Sequence, residues 1–189
     1  MRKVIVAVNV SLDGYLEGPG GAIDWWTPDP QMNVEFTADL RADVDTMLFG
    51  RQAYHALNAA FSQQATHPDS PPELVDFATW MLATPKVVFS RTQSDLLSPD
   101  DRLAVADIPD EVAALKQQPG RDLVLFGGSS TVQQFVQNRV VDEYRLKIYP
   151  VALGAGQPLF TDLKDRASLE LTHTKAYDSG IVTLRYRAT

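Results

Sequence analysis

The stretch LVLFGGSSTVQQF, residues 123–135, decides the interpretation of this sequence. A run of strand-forming residues stops at Gly127 and Gly128, and a helical pattern begins directly after them. Glycines at such a junction form either a plain turn or a stretch of bare backbone on which a charged ligand can rest. The junction therefore leaves a structural and a functional interpretation open.

Three hydroxyl side chains follow the glycines, at the predicted start of the helix: Ser129, Ser130 and Thr131. At a helix N-terminus, N–H groups without partners and the helix dipole favour an anion, and a pyrophosphate would fit. The alternative is that Ser129 only caps the helix. The spacing is neither GxGxxG nor GxxxxGK[ST], which disfavours the usual dinucleotide fold and a nucleoside-triphosphate loop.

Outward from this junction, strands and helices alternate, and strands pair at the end of the chain. The patterns predict strands at 2–10, 45–49, 85–90, 123–126 and 142–149, a short strand within 102–106, a closing hairpin at 169–188, and helices near 30–43, 52–57, 74–82 and 109–117. The three prolines of residues 62–72 predict an exposed loop. This order predicts an α/β fold with a largely parallel sheet and antiparallel C-terminal strands, in one domain spanning residues 1–189.

Two further strand ends carry cations and hydroxyl groups. Gly50 and Arg51 follow the second strand, and Ser90, Arg91 and Thr92 follow the strand at 85–90. Ligands gather beyond the carboxyl ends of parallel strands, and positive charge with several donors suits a phosphate monoester. The alternative for each arginine is an ordinary solvated position.

Composition narrows the possible partners and metals. The net charge of −7 argues against nucleic acid and anionic membranes, because both favour basic surfaces. With no cysteine and three scattered histidines, no metal-binding spacing is present. Without a long apolar run or a secretory signal, we expect a cytoplasmic protein.

A glycine-rich loop at residues 11–26 contains two tryptophans and carboxylates, and further carboxylates follow it in the predicted helix. Asp13, Glu35 and Asp39 are candidate proton donors, since reduction of an imine-like C=N bond needs a proton beside the hydride acceptor. Alternatively, each of these residues is an ordinary solvated acid on the surface. Trp25 and Trp26 either stack on a heterocyclic substrate or staple the loop to the core.

Together these segments resemble the dihydrofolate reductase fold. More closely, they resemble stand-alone relatives of the reductase domain at the C-terminal end of the bifunctional deaminase-reductase of bacterial riboflavin synthesis. The resemblance covers nearly the entire chain. It is carried by NVSLDGYLEGPGG, LFGRQAY, VVFSRT, LVLFGGSST and, most specifically, VDEYRLKIYPVALGAGQPLF at residues 141–160.

The resemblance implies a three-layer α/β/α reductase that uses NADPH. It assigns the pyrophosphate to residues 127–131 and the 2′-phosphate to Arg51, Ser90 and Arg91. It implies hydride transfer to a small heterocyclic or ribosylamino-pyrimidine substrate, as in 5-amino-6-(5-phosphoribosylamino)uracil reduction, and pairing of two copies through the C-terminal strands. Dihydrofolate reduction, and dinucleotide binding without catalysis, are the alternatives.

Overall fold

The computed structural model describes residues 1–92, 96 and 98–189. Its strands are β1 (Val4–Ser11), β2 (Tyr15–Glu17), β3 (Val44–Gly50), β4 (Lys86–Phe89), β5 (Arg102–Leu103), β6 (Asp122–Gly127), β7 (Glu143–Tyr149), β8 (Gln157–Pro158), β9 (Leu169–Ala176) and β10 (Val182–Ala188). Its α-helices are α1 (Pro30–Asp43), α2 (Arg51–Thr66), α3 (Pro72–Ala83), α4 (Ile108–Gln117) and α5 (Ser129–Gln137).

Eight strands form one sheet in the order β5-β4-β3-β6-β1-β7-β10-β9. The six strands from β5 to β7 run parallel, whereas β10 is antiparallel to β7 and β9 is antiparallel to β10. The predicted parallel sheet with antiparallel C-terminal strands is thus confirmed. Within the described residues, no helix is both long enough and apolar enough to cross a bilayer.

Alternation along β1 builds a core on each face of the sheet. Val4 and Val6 point to one face, where they pack with residues of α4 and α5. Ile5 and Ala7 point to the other face, where the core includes residues of α1, α2 and α3. Asn9 continues this second series, so its position in the strand places it beneath those three helices.

An N-cap residue and a proline set the start of α1. The carboxylate of Asp29 accepts a hydrogen bond from the Met32 amide at 2.9 Å, and Pro30 lies in the first turn. The helix buries Met32 and Leu40. This leaves Glu35 and Asp39 on the adjoining face.

The predicted loop at 62–72 is wrong in its first half, because α2 continues to Thr66 and α3 already begins at Pro72. The prolines break the helix only after His67, whose amide still bonds to Gln63. Two short strands were not predicted. β2 and β8 pair antiparallel and join the glycine-rich loop to the segment after Pro150.

Candidate functional site

The carboxyl ends of β3, β4 and β6 open into a cavity of about 550 Å³, called here the strand-end cleft. Its lining includes most of the residues that the sequence proposes for a phosphate ligand: Gly50, Arg51, Ser90, Arg91, Thr92, Gly128, Ser130 and Thr131. Gly127 and Ser129 are their immediate neighbours in the chain. Three segments far apart in sequence thus meet because parallel strands end at one edge of the sheet.

The turn at Gly127 and Gly128 exposes backbone at the start of α5. Gly128 is the N-cap, with φ +48° and no side-chain cap, so the alternative in which Ser129 caps the helix is wrong. A Cβ built on Gly127 would meet nothing within 4 Å. The turn therefore holds open space beside a helix N-terminus, which is the arrangement that an anion requires.

Arg51 and Arg91 are exposed on the cleft wall. Among the residues that the structure describes, neither arginine pairs with a carboxylate, so both guanidinium groups are available to a ligand. Ser90 is engaged locally, since its hydroxyl donates to the Thr92 carbonyl oxygen at 2.6 Å. Asp107 also lines the cleft, but its carboxylate caps α4 by accepting from the Asp110 amide at 3.2 Å.

A second cavity, of about 440 Å³, lies between the helices α1, α2 and α3 and the strands β1, β6 and β7. We call it the helix-side cavity. Its apolar wall includes Trp26, Phe36, Phe61, Phe77, Met81 and Phe126. Because Phe126 lines this cavity and Gly128 lines the strand-end cleft, the glycine turn lies between the two spaces.

Two polar side chains stand in this apolar wall. Asn9 and Lys147 are partners in the register of the parallel strands β1 and β7. The Lys147 ammonium lies 4.8 Å from the centre of the Phe36 ring, and burial lowers the pKa of Lys147 to about 8. In the described part of the chain, neither side chain makes a hydrogen bond or an ion pair.

Polar atoms without partners concentrate at the helix-side cavity. Four buried side-chain atoms lack a hydrogen bond within the described residues, and three belong to residues of this wall: Asn9 Oδ1, Arg41 Nε and Gln64 Oε1. A buried polar atom left unpaired costs about 1–3 kcal/mol. The unpaired polar atoms are therefore concentrated in the residues of this one cavity wall.

The carboxylates proposed from the sequence have partners elsewhere. Glu35 accepts hydrogen bonds from Lys175 at 2.5 Å and Tyr177 at 2.9 Å, and the bond from Lys175 is the main cause that lowers the pKa of Glu35 to about 2. Asp39 pairs with Arg185. Neither carboxylate is part of the described wall of the helix-side cavity.

Asp13 ties the first loop to a distant segment. It accepts hydrogen bonds from the Ser11 hydroxyl at 2.6 Å and from the amides of Leu153 and Gly154 at 3.0 and 2.7 Å. The Ser11 bond is the largest cause that lowers the pKa of Asp13 to about 2. The prediction that Asp13, Glu35 or Asp39 supplies a proton thus finds no support in their positions, because each carboxylate is engaged by a partner and none is part of the described wall of the helix-side cavity.

The two tryptophan rings lie edge-on with their centres 5.8 Å apart, but their other contacts differ. Trp25 packs edge-on against Tyr149, with ring centres 5.4 Å apart, and its indole N–H donates to the Ala22 carbonyl oxygen, so it staples the loop to the core. Trp26 is 38% exposed and lines the helix-side cavity. Only Trp26 is therefore placed to contact a ligand there.

Sequence reasoning missed Asn9 and Lys147. Their signal was a single polar residue inside a strand pattern, in VAVNV and in RLKIY. Strand alternation places each on the face covered by α1 to α3, where a polar side chain needs a partner.

The chain is similar in sequence to one known family and to two proteins of Bacillus subtilis. Residues 2–183 match the family described as the RibD C-terminal domain. Uncharacterized protein YyaP of Bacillus subtilis (strain 168) is 39% identical over 190 residues, which cover 98% of this chain and 94% of the relative. Uncharacterized protein YwjB of the same strain is 26% identical over 183 residues, 95% of each chain.

Solved structures agree on the fold. A Shewanella sp. PV-4 protein, connected by its name with riboflavin biosynthesis, has a TM-score of 0.75 at 23% identity and 99% coverage of both chains. The Thermotoga maritima diaminohydroxyphosphoribosylaminopyrimidine deaminase/5-amino-6-(5-phosphoribosylamino)uracil reductase has a TM-score of 0.69 at 15% identity. The match covers 100% of this chain and 57% of the Thermotoga maritima chain. The dihydrofolate reductase-like architecture expected from the sequence is confirmed.

Proposed function

Since this chain belongs to the RibD C-terminal domain family, we propose that it is an NADPH-dependent reductase that transfers a hydride to a small heterocyclic acceptor. The carrying observation is the position of the glycine turn between two cavities of different chemistry. The strand-end cleft offers cations and a helix N-terminus, which suit a phosphorylated cofactor. The helix-side cavity offers an apolar wall, which suits an organic ring.

Each part of the cleft has a role in holding NADPH. The exposed backbone at Gly127 and the start of α5 would receive the pyrophosphate, because a side chain on Gly127 would fill that space. Arg51 and Arg91 would meet the 2′-phosphate as unpaired cations. When bound, NADPH supplies the hydride. A cofactor that crosses the turn would present its second half to the helix-side cavity.

The helix-side cavity also favours this function over dinucleotide binding without catalysis. A protein that only binds the cofactor needs the cleft and no second space. Here the helix-side cavity adjoins the turn and has the size of a small-ligand site, within the range of roughly 300–1,000 Å³. This supports an enzyme with its own acceptor.

Titration with NADPH and NADH, followed by tryptophan fluorescence, tests the cofactor half of the proposal. We expect saturable binding with NADPH preferred. A screen for NADPH oxidation then covers dihydrofolate, riboflavin-pathway pyrimidines and simple quinones, with Gly127→Ala as the matched variant. Failure of the wild-type protein to bind either nucleotide would reject the proposal.

A further inference from the structure

The helix-side cavity carries an inference that rests on the proposed reductase function and specifies its acceptor. Four charged side chains belong to its wall: Arg41, Glu73, Asp76 and Lys147. Arg41 is already paired with Asp76. The wall thus has two cations and two anions, and its largest surface is apolar.

This charge balance is unlike that of the strand-end cleft. A phosphate group needs several positive or N–H donors that no carboxylate neutralises, such as the two unpaired arginines of the strand-end cleft. In the described helix-side wall, Lys147 is the one cation without an ion-pair partner, because Arg41 and Asp76 neutralise each other, while Glu73 would repel a dianion. A ligand without a phosphate therefore fits this cavity better than a phosphoribosyl compound.

Lys147 is placed to contact such a ligand. Its ammonium lies over the Phe36 ring, and its strand partners Asn9 and Thr183 are uncharged. Asn9 offers an amide that has no side-chain hydrogen bond in the described residues, and it can turn either end of that amide toward a polar ring edge. The pair thus forms one polar strip in an apolar wall.

We infer that the helix-side cavity binds a neutral, planar ring that carries a C=N or C=O bond and no phosphate, and that Lys147 gives the proton to the nitrogen or oxygen of that bond. The carbon of the double bond gains the hydride from NADPH, and the electron pair of the double bond moves to the heteroatom. The heteroatom takes a proton from the Lys147 ammonium. Lys147 then regains a proton from solvent, so the reduction adds two hydrogens and leaves the lysine unchanged.

Burial of Lys147 supports this role because it makes the ammonium a better acid near neutral pH. The protonated form is the active one. We therefore expect kcat to be level below pH 7 and to fall tenfold per pH unit as the pH rises past about 8.

The binding arm of the test needs no cofactor. Two cyclic imines without a phosphate, 3,4-dihydroisoquinoline in its unprotonated form above pH 8 and 6,7-dimethyl-7,8-dihydropterin, are titrated into the protein and compared with 5-amino-6-(5-phosphoribosylamino)uracil. Tryptophan quenching reports binding, since Trp26 is part of the wall. We expect at least one imine to bind more tightly than the phosphorylated pyrimidine. A tighter phosphorylated pyrimidine would overturn the inference.

The catalytic arm compares Lys147→Met, which keeps most of the length of the side chain and removes the ammonium, with Lys164→Met at an exposed position as the matched control. With NADPH and the bound imine, Lys147→Met should lower kcat at least about 100-fold. Lys147→Arg should not restore it, because a guanidinium does not release its proton at this pH. Unchanged kcat in Lys147→Met, or a wild-type kcat that stays level to pH 10, contradicts the role of Lys147.

The failures are distinguishable. If the wild-type protein does not bind NADPH, the proposed function is rejected. Imine titration then still tests whether the helix-side cavity binds a ring without a phosphate. Normal NADPH binding with preference for the phosphorylated pyrimidine rejects only the inference.

Discussion

Gly50 and Thr131 lie so close that a Cβ on Gly50 would be 2.1 Å from the Thr131 hydroxyl oxygen and 3.2 Å from its Cβ. Gly50 is the last residue of β3, directly before α2, and Thr131 is in the first turn of α5. The two helix starts that line the strand-end cleft are therefore held at a spacing that only glycine allows.

Gly50→Ala should lower the free energy of unfolding by about 1–3 kcal/mol, because the new methyl group forces α2 and α5 apart. Urea denaturation measures the loss. Thr131→Ala introduced into this variant should recover most of the stability, since it removes the nearest atom. Equal losses in the single and double variants would contradict the steric explanation.

Gly127→Ala separates a ligand site from a structural turn. The added methyl group meets open space, so the stability should be unchanged while NADPH affinity falls about tenfold or more. Gly128→Val should abolish NADPH binding, but it should also destabilise the fold, because φ at Gly128 is +48°. Thermal melting and nucleotide titration of both variants check this. Native NADPH affinity in Gly127→Ala would favour the plain turn.

Arg51→Ala should weaken NADPH far more than NADH. The 2′-phosphate is the group that distinguishes the two nucleotides, and an unpaired guanidinium is its natural partner. We expect a loss of about tenfold or more for NADPH and little change for NADH. Dissociation constants for both nucleotides test this, and equal losses would show that Arg51 does not read that phosphate.

Asp13→Asn should make the free energy of unfolding less dependent on pH between about 4 and 2. The pKa of Asp13 is lowered to about 2 in the folded protein, so its stabilising effect is complete above pH 4 and is lost as the pH falls toward 2. The difference in urea midpoint between wild type and Asp13→Asn should therefore shrink over this interval. A constant difference from pH 5 to pH 2 would show that the carboxylate charge does not matter.

We expect a homodimer formed through the C-terminal strands. β9 is the edge strand of the sheet, and most of its residues are exposed. The segment after Pro150, which could have covered this edge, instead pairs with β2 through β8. Sedimentation at micromolar concentration should give twice the chain mass of 20.9 kDa. A species of 20.9 kDa that does not change on concentration would exclude the dimer.

Local signals in the sequence were sufficient for most of the fold. Strand alternation, the Asp29-Pro30 helix start and the glycine turn each depend on neighbouring residues, and all three are present in the structure. The strand ends that carry Arg51 and Arg91 also line one cleft, because parallel strands end at the same edge of the sheet. These features need no knowledge of distant contacts.

The acceptor side could not be predicted in the same way. Glu35 looks like a free acid in the sequence, and only the fold brings Lys175 against it from 140 residues away. Asn9 and Lys147 look like interruptions of strands, and only the pairing of β1 with β7 places them together. Ion pairs and cavities depend on tertiary contacts that a local pattern does not contain.

The hydrogen bonds of Asp13 have a mechanical consequence. They fasten residues 11–14 to residues 153–154, while β2 and β8 fasten the next part of both segments. The first part of this loop, residues 11–17, therefore cannot swing as a free flap. Any motion of these residues must carry the 151–158 segment with it or break these bonds first, so substitutions at Leu153 or Gly154 would loosen the loop although neither residue is in the described lining of either cavity.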